Sequence, residues 1–479
     1  MKKGTILNLE ITGYAFEGKG IAKILNETHS SDEKPKKFVV FVKGTYPGDK
    51  ITAQISKVKK SYAEAKLLNI IYPSKHRTNP KCSFFGTCGG CQQQDLIYDQ
   101  QLKFKEEQVR EIFERIGGFN EVEMLPIMSS AKEYFYRNKM EFSFARKRWL
   151  TPEEISSMQE ISDREFALGL HIPGLFDKVI NINRCFLQSE LSNDILNFTK
   201  TFFREEATSI YSTQDHEGYL RNLVIRQSSH LKDLMVNLVT STENERLFIN
   251  YTEKLKSKFP EITTVVNNIN IKKALVAIGD YEKVFYGSGY IYDLIGEFKF
   301  RISANSFFQT NTHQAEKLYQ TALGFANFGG DEIVYDLYSG AGTIPIYLSK
   351  HVKKIYGFES VQSAIDDALI NAEINSVKIF TPILADLNKS FLPIVDTKNL
   401  PKPSVIIADP PRSGMNPKTV NDIIQLGPEK IIYISCNPAT QARDIKLLCE
   451  EKYYLVMLQP VDMFPQTYHI ESVALLVKK

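Results

Sequence analysis

A chain of 479 residues, 43% hydrophobic and 24% charged, is long enough to bury several cores and to hold roughly two to four domains. No apolar run reaches the length of a membrane span, and Met1-Lys2-Lys3-Gly4 has no apolar signal region behind it, so we expect a soluble, cytoplasmic protein with no membrane partner. The net charge of +3 is unevenly spread: residues 1–81 carry 16 Lys/Arg against 7 Asp/Glu, leaving the rest of the chain net acidic. A basic front end on a near-neutral body points to a polyanion such as RNA.

Residues 1–72 read as short β-prone runs, Thr5–Ile11, Gly20–Ile24, Phe38–Val42, Asp49–Val58 and Glu64–Ile71, separated by turn signals such as Pro47-Gly48-Asp49. That pattern predicts a small antiparallel barrel. Asn26 to Lys37 is polar and irregular, an expected loop. Lys57, Lys59, Lys60 and Tyr62 combine charge with an aromatic, as a single-strand nucleic-acid surface would. The segment resembles the TRAM domain, an RNA-binding barrel, through Gly18-Lys19-Gly20-Ile21-Ala22, Val42-Lys43-Gly44-Thr45-Tyr46-Pro47-Gly48-Asp49 and Tyr62-Ala63-Glu64-Ala65.

Cys82, Cys88 and Cys91 follow a C-x5-C-x2-C spacing among glycines, and Cys185 lies almost a hundred residues on. Clustered cysteines in an intracellular chain favour a metal over disulfides. Four thiolates suit a [4Fe–4S] cluster or a tetrahedral zinc. Spacing alone barely separates the two, with a slight lean to iron–sulfur because only one C-x2-C knuckle is present.

From Asp99 to Ile116, apolar residues recur at helical spacing, and Gly117-Gly118 offers a stop. Residues 130–300 mix strands (Lys139–Phe144, Leu220–Ser228, Leu234–Thr240) with helices over Glu190–Glu205 and Asn244–Lys258, an α+β middle domain. From about residue 305 strands alternate with helices, the signature of a parallel sheet.

Three strand ends of that sheet carry chemistry. Asp336-Leu337-Tyr338-Ser339-Gly340-Ala341-Gly342-Thr343 is a strand entering a glycine turn. It lacks both the full dinucleotide fingerprint and the lysine of a phosphate loop. It suits S-adenosylmethionine, whose amino-acid end needs close backbone approach. Glu359 ends a second strand, placed to accept ribose hydroxyl hydrogens, and Asp386 follows as a third acid near the adenine. Ala408-Asp409-Pro410-Pro411-Arg412 and Ile434-Ser435-Cys436-Asn437-Pro438 then bring a carboxylate and a thiol to the same edge, where ligands of open α/β sheets bind.

That set fits methyl transfer to a pyrimidine carbon. Carbon 5 of uracil is a poor nucleophile until a thiolate adds at carbon 6, and a base must afterwards remove the carbon 5 proton. Cys436 is the candidate nucleophile. Glu471, shortly ahead of the expected last strand Val473–Val477, is the candidate base, with His469 as competitor and Arg412 or backbone amides as enolate support. Cys449 reads as core packing. An Asp-Pro-Pro turn also serves enzymes that methylate exocyclic amines, but those expect an aromatic where Arg412 stands, and Cys436 would have no task.

Residues 301–479 resemble the RNA 5-methyluridine methyltransferase family, through Ser306-Phe307-Phe308-Gln309-Thr310-Asn311, Asp336 to Thr343, Asp409-Pro410-Pro411-Arg412-Ser413-Gly414, Ser435 to Pro438 and His469-Ile470-Glu471-Ser472. Tyr136-Arg137-Asn138-Lys139 fits as well. The resemblance implies a Rossmann-like S-adenosylmethionine methyltransferase domain over 301–479, an α+β central domain over 73–300 and an OB-like TRAM barrel over 1–72. It also implies that the helix region of residues 95–125 packs on the catalytic domain. Gln309, Tyr338, Glu359, Asp409 and, less closely, Asp386 match cofactor-binding positions; Cys436 matches the nucleophile and Glu471 the base. Cys82, Cys88, Cys91 and Cys185 match the [4Fe–4S] ligands of the ribosomal branch. Thr343 stands where some members carry Asn. The presence of both barrel and cysteine set favours 23S ribosomal RNA over transfer RNA as partner, acted on by a monomer. A flipped target base would meet Phe307 and Phe308. The rival readings are amine methylation and a catalytically dormant RNA-binding iron–sulfur protein.

Overall fold

The computed structural model describes residues 2–25, 37–157, 164–273 and 276–479. The loop expected over 26–37 falls outside these except for Lys37, where a strand opens.

Six strands over residues 6–72 form one sheet, in the order Ile6–Glu10, Lys50–Val58, Tyr62–Tyr72, Lys37–Lys43, Lys19–Leu25, Gly13–Ala15. The first and last in that order are neighbours in sequence. Ile11 N–H donates to Asp49 O at 2.9 Å, and Thr12 N–H donates to Ile21 O at 2.8 Å. Adjacent residues therefore bond to opposite edges, which closes the sheet into a barrel and removes its free edges. Alternating residues such as Val40, Val42, Ile51, Ala53 and Ile55 fill its interior.

The central sheet has eight strands, ordered Tyr281–Tyr286, Thr264–Ile269, Leu234–Thr240, Leu220–Gln227, Lys139–Ala145, Ala167–Ile172, Leu175–Asn181, Arg148–Trp149. Helices Glu190–Glu205 and Glu245–Lys258 bury Ile195, Phe203, Phe248 and Tyr251 against it. Ser189 and Asn244 side chains cap these helices, supplying acceptors for N–H groups that have no partner within the helix. A hairpin, Tyr290–Ile295 with Phe298–Ser303, follows. Its Ile291, Ile295, Phe298, Phe300 and Ile302 belong to the C-terminal core. The expected boundary at residue 300 falls within the strand Phe298–Ser303.

The C-terminal sheet runs Phe380–Leu384, Lys354–Glu359, Ile333–Leu337, Val405–Ala408, Lys430–Ser435, Glu471–Lys478, Tyr453–Val461, Glu123–Met124. The first five are parallel, and the chain reverses direction of travel between Ile333–Leu337 and Val405–Ala408. That reversal opens a crevice at the strands' carboxyl ends. Glu471–Lys478 is antiparallel to Lys430–Ser435, so its first residue lies at the edge where the parallel strands finish. Both faces are covered, one core holding Val334, Ile355 and Ile434, the other Tyr335, Phe358 and Tyr433.

Residues 92–125 belong to this unit by contact. Helix Tyr98–Ile112 continues through a wider turn, Phe113–Gly117, and stops at Gly118 in the left-handed region. Glu123–Met124 joins the sheet beside Tyr453–Val461. Lys105 Nζ reaches Asp462 Oδ1 at 2.6 Å with both side chains buried, and Tyr98 OH donates to Asp462 Oδ2 at 2.8 Å. Among the described residues no helix is long and apolar enough to cross a membrane.

Candidate active site

The glycine turn starts from a backbone under constraint. Tyr338 adopts φ 67°, unusual for a residue with a side chain, and is held there by its N–H to Phe358 O at 2.9 Å. Gly340 (φ 53°) meets nothing within 4 Å of where a Cβ would stand; the turn faces open space. Gly342 then caps helix Thr343–Leu348. Glu359, ending the neighbouring strand, accepts N–H groups from Gly340 at 3.0 Å, Ser360 at 2.7 Å and Val361 at 2.9 Å, which fixes its carboxylate beside the turn.

Asp336 lies beneath, 1% exposed. Neither of its carboxylate oxygens, nor the buried Oγ of Ser339, has a hydrogen-bond partner. Burial, with Asp409 and Glu359 adding, holds Asp336 well above the usual carboxylate range. A buried acceptor without a donor is costly, and a cationic ammonium next to open backbone is the group it fits. The cradle therefore suits the amino-acid end of S-adenosylmethionine, with the Glu359 carboxylate directly against the turn. Tyr338 is partly buried against the second core, and Gln309 is half-buried, its carbonyl accepting from Asn138 Nδ2 at 2.8 Å. Thr343 is engaged with Tyr319 through its hydroxyl at 3.0 Å. Asp386 differs from the other acids: it is exposed, accepts Asn388 N–H at 3.0 Å and pairs with Lys389 at 3.3 Å.

Cys436 follows the strand Lys430–Ser435. Because Ser435 is registered with Ser472, one further step sets Cys436 beside Glu471. The last strand begins at Glu471, two residues earlier than expected, because pairing with Ser435 extends it past its apolar run. Glu471 is thus a buried strand residue. Asp409 completes the group, its N–H directed at Leu337 O at 3.3 Å.

The three groups repel each other's charge. Burial pushes the Cys436 thiol up to about 12, with Glu471 and Asp409 adding and Arg412 opposing. Burial raises Asp409 to about 7, and burial with Asp409 holds Glu471 well above its ordinary value. The thiol does stand at the start of helix Pro438–Glu451, capped by Asn437, a place that normally favours thiolate; here burial and the two acids win. His469 goes the other way. Burial, then Arg412, Lys105 and Arg137, lower it to about 4, making it a far weaker base than Glu471. Asn437 Nδ2 donates to Arg412 O at 3.0 Å, tying the Asp-Pro-Pro-Arg turn to the cysteine loop.

The barrel reaches this mouth. Glu17 Oε1 lies 3.6 Å from Arg412 Nη2, and a Cβ on Gly18 would stand 3.1 Å from the Tyr468 ring, so only glycine allows that approach. Behind it, Tyr14 packs on Tyr46 and Phe104, and Arg77 bridges Asp49 and Asp95.

Cys82, Cys88, Cys91 and Cys185 converge on one cavity whose other walls include Phe85, Leu170, Ile182 and Leu187. Burial raises Cys88 and Cys91 to about 12, and neighbouring thiols of the set add to it. Gly90 N–H donates to Cys88 Sγ at 3.3 Å, and the Cys185 N–H is held by Asn193 Oδ1 at 2.8 Å. Among the described residues no three of these sulfurs lie within 4.8 Å of one another.

Phe307 and Phe308 part company. Phe307 is 71% exposed, whereas Phe308 is 4% exposed and packs on Phe300 in the core, because successive residues of an extended segment face opposite ways. Only Phe307 is free to meet a base. Cys449 is partly buried against the second core. Sequence reasoning missed Asp336 as an unpartnered acid; its place at the end of an otherwise apolar strand was the available signal.

A model of the tRNA (Uracil-5-)-methyltransferase family matches residues 223–479, and a TRAM domain model matches residues 1–68. An RNA methyltransferase of Chlorobaculum tepidum, itself uncharacterized, is 41% identical over 475 residues, covering 99% of this chain and 96% of that protein. A second, from Bacteroides thetaiotaomicron, is 41% identical over 466 residues, covering 96% and 99%. The crystal structure of the Pyrococcus abyssi tRNA (uracil-54, C5)-methyltransferase in complex with S-adenosyl-L-homocysteine superposes with a TM-score of 0.73. It is 29% identical and covers 98% of this chain and 100% of that one.

Proposed function

The chain belongs to the RNA (uracil-5-)-methyltransferase family, S-adenosylmethionine-dependent transferases, and from that premise we propose that it methylates carbon 5 of a uridine in 23S ribosomal RNA through Cys436 and Glu471. The observation that carries the reading is the convergence of a half-buried thiol with buried Glu471 and half-buried Asp409 beside the glycine turn.

Gln309, Tyr338, Glu359 and Asp409, with Asp386 at the rim, would hold S-adenosylmethionine, which supplies an electrophilic methyl group. The Cys436 thiol releases its proton to water and its sulfur bonds to carbon 6 of the uracil, moving electron density to carbon 5, which would take the methyl group and leave S-adenosylhomocysteine. Once carbon 5 carries the methyl group, Glu471 takes its proton, the carbon 5–carbon 6 double bond re-forms and the Cys436–carbon 6 bond breaks. Glu471 suits the last step because its raised affinity for a proton makes it a capable acceptor. The thiol's own resting state is protonated, so Arg412, the one cation that lowers it, is the residue placed to favour thiolate.

Cys82, Cys88, Cys91 and Cys185 would hold a [4Fe–4S] cluster; their convergence on one apolar cavity supports a four-thiolate site. Its part is structural, since methyl transfer passes no electrons to an acceptor. Loss of visible cluster absorption and of bound iron in Cys185→Ser is the expected result. Retention of both would remove Cys185 from the ligand set.

On the barrel, a groove lined by Lys19, Lys43, Lys66 and Phe41, beside exposed Lys57, Lys59 and Lys60, joins cations with a ring, the combination that grips single-stranded RNA. Transfer RNA is the second reading. Its support is the Pyrococcus abyssi enzyme, which spans this whole architecture and acts on that RNA.

The deciding experiment is tritium release from carbon 5-labelled uridine, offered separately in ribosomal and transfer RNA, for wild type and Cys436→Ala. Release from ribosomal RNA by wild type alone is expected. Release from transfer RNA alone moves the substrate, and methyl incorporation without tritium release moves the reaction off carbon 5.

A further inference from the structure

Away from the crevice and the cysteine cavity, one set of side chains has no part in methyl transfer. Among the described residues, His230, His313 and Glu316 are the only group of three or more histidine, cysteine or acidic side chains whose ligand atoms all lie within 4.8 Å of one another. We propose that these three residues bind one divalent transition-metal ion of the zinc class, joining the central sheet to the helix that precedes the cofactor strand.

The two parts of the set come from separate elements. His230 lies in the turn between strands Leu220–Gln227 and Leu234–Thr240, while His313 and Glu316 sit three apart on the first turn of helix Thr312–Ala326. That spacing puts both on one helix face. His230 Nε2 is 3.3 Å from Glu316 Oε1, and His313 Nδ1 is 3.9 Å from Glu316 Oε2. Nitrogen and oxygen donors about 2.0–2.2 Å from a tetrahedral ion stand roughly 3.3–3.6 Å apart, so small side-chain rotations bring all three into range.

The surroundings orient the donors. Asp293, 1% exposed, places Oδ1 3.4 Å from His230 Nδ1 and is itself fixed by Ser228 Oγ at 2.7 Å, Thr312 Oγ1 at 3.0 Å and Ser229 N–H at 3.0 Å. A carboxylate behind one imidazole nitrogen, leaving the other for the ion, is the usual outer arrangement of a histidine ligand. Gly296 N–H donates to Glu316 Oε1 at 2.9 Å and fixes the acid. Lys132 is a charged neighbour of His313. Lys132 and the positive end of the helix oppose a cation; the charges of Glu316 and Asp293 offset them. Two imidazoles and one carboxylate select zinc, cobalt or nickel over magnesium and calcium.

The test uses the full-length protein with its cysteine site intact, titrated with cobalt(II) as a spectroscopic probe and with zinc in competition against a chromophoric chelator. Wild type should show ligand-field bands of nitrogen and oxygen donors, without thiolate charge transfer, and take up one more zinc than His313→Ala or Glu316→Gln. The variants' affinity for that ion should fall at least about tenfold, and zinc should raise Tm in wild type only. Equal zinc uptake by all three proteins overturns the site. So does a wild-type cobalt spectrum made only of thiolate charge transfer, a result that stands even if a variant fails to fold.

Discussion

Buried carboxylates meet opposite fates at the two ends of helix Tyr98–Ile112's contact network and at the catalytic crevice. Asp462 is fully buried and faces Lys105 at 2.6 Å and Tyr98 at 2.8 Å; Asp49 is fully buried and faces Arg77 at 2.7 Å. Asp336 and Glu471 are also buried, while Asp409 is half-buried, and what Asp336 and Glu471 meet is another acid. The paired acids fasten one segment to another. The unpaired ones have a raised affinity for protons, which suits the proton transfer of the proposed reaction, at a cost to stability. Burial alone does not separate structure from catalysis in this chain; the neighbour does.

The sharpest way to break that contrast is Glu471→Gln. Turnover should fall by roughly 10²–10⁴-fold, while a covalent RNA–protein adduct through Cys436 accumulates on denaturing gels. Unchanged turnover would take Glu471 out of proton removal. On the paired side, Lys105→Met leaves Asp462 buried without its cation and should destabilise the fold by about 3–5 kcal/mol, read from the urea midpoint. Adding Asp462→Leu should restore most of it; a wild-type midpoint for Lys105→Met alone would show the pair fastens nothing.

Asp409→Asn sharpens the same point through pH. The folded Asp409 holds its proton up to about pH 7, whereas unfolded it releases it near the ordinary aspartate value of 3.8. Between these values the folded state binds more protons, so Asp409 contributes a loss of stability as pH rises from about 4 to 7. The variant should remove that share, gaining on the order of a few kcal/mol at neutral pH, and should lose cofactor affinity. A Tm–pH slope identical to wild type would contradict the raised acid. Smallest of all, Glu17→Gln removes an exposed pair with Arg412 and should shift stability by under about 1 kcal/mol, an effect erased by salt. A multi-degree, salt-resistant fall in Tm would mean the barrel contact is stronger than its exposure implies.

How far the sequence reached can be traced through particular residues. The strands around Asp336, Glu359, Asp409 and Cys436 were legible because each is an apolar run ended by a polar residue, a local signal of a parallel sheet. Glu471 was legible as a residue but not as part of its strand, since the pairing with Ser435 is set by a partner 37 positions away. Phe307 and Phe308 are adjacent and chemically identical; only the backbone direction sends one to solvent and one to the core. Lys105 gave no sign of being buried, because its counter-charge is separated from it by 357 positions. His230 stands 83 positions ahead of the His313 it faces, so that grouping was not visible in the sequence either.

The clasp between residues 92–124 and the C-terminal strands carries a consequence for how the chain is made. Gln92 and Gln93 give their N–H groups to Gln466 O, Lys105 waits for Asp462, and Glu123–Met124 needs Tyr453–Val461 as an edge. On a ribosome moving at about 5–20 residues per second, the 357 positions between Lys105 and Asp462 take roughly 20–70 s to emerge. Through that interval the barrel has its strands and Phe104 its barrel partner Tyr14, but the helix presents Val109, Ile112 and Phe113, whose core lies in the C-terminal unit, to water. Nascent-chain protection of this helix should therefore be the task of a chaperone or of the ribosome surface, and the final fifty residues should lock early and late halves of the polypeptide together in a single terminal event.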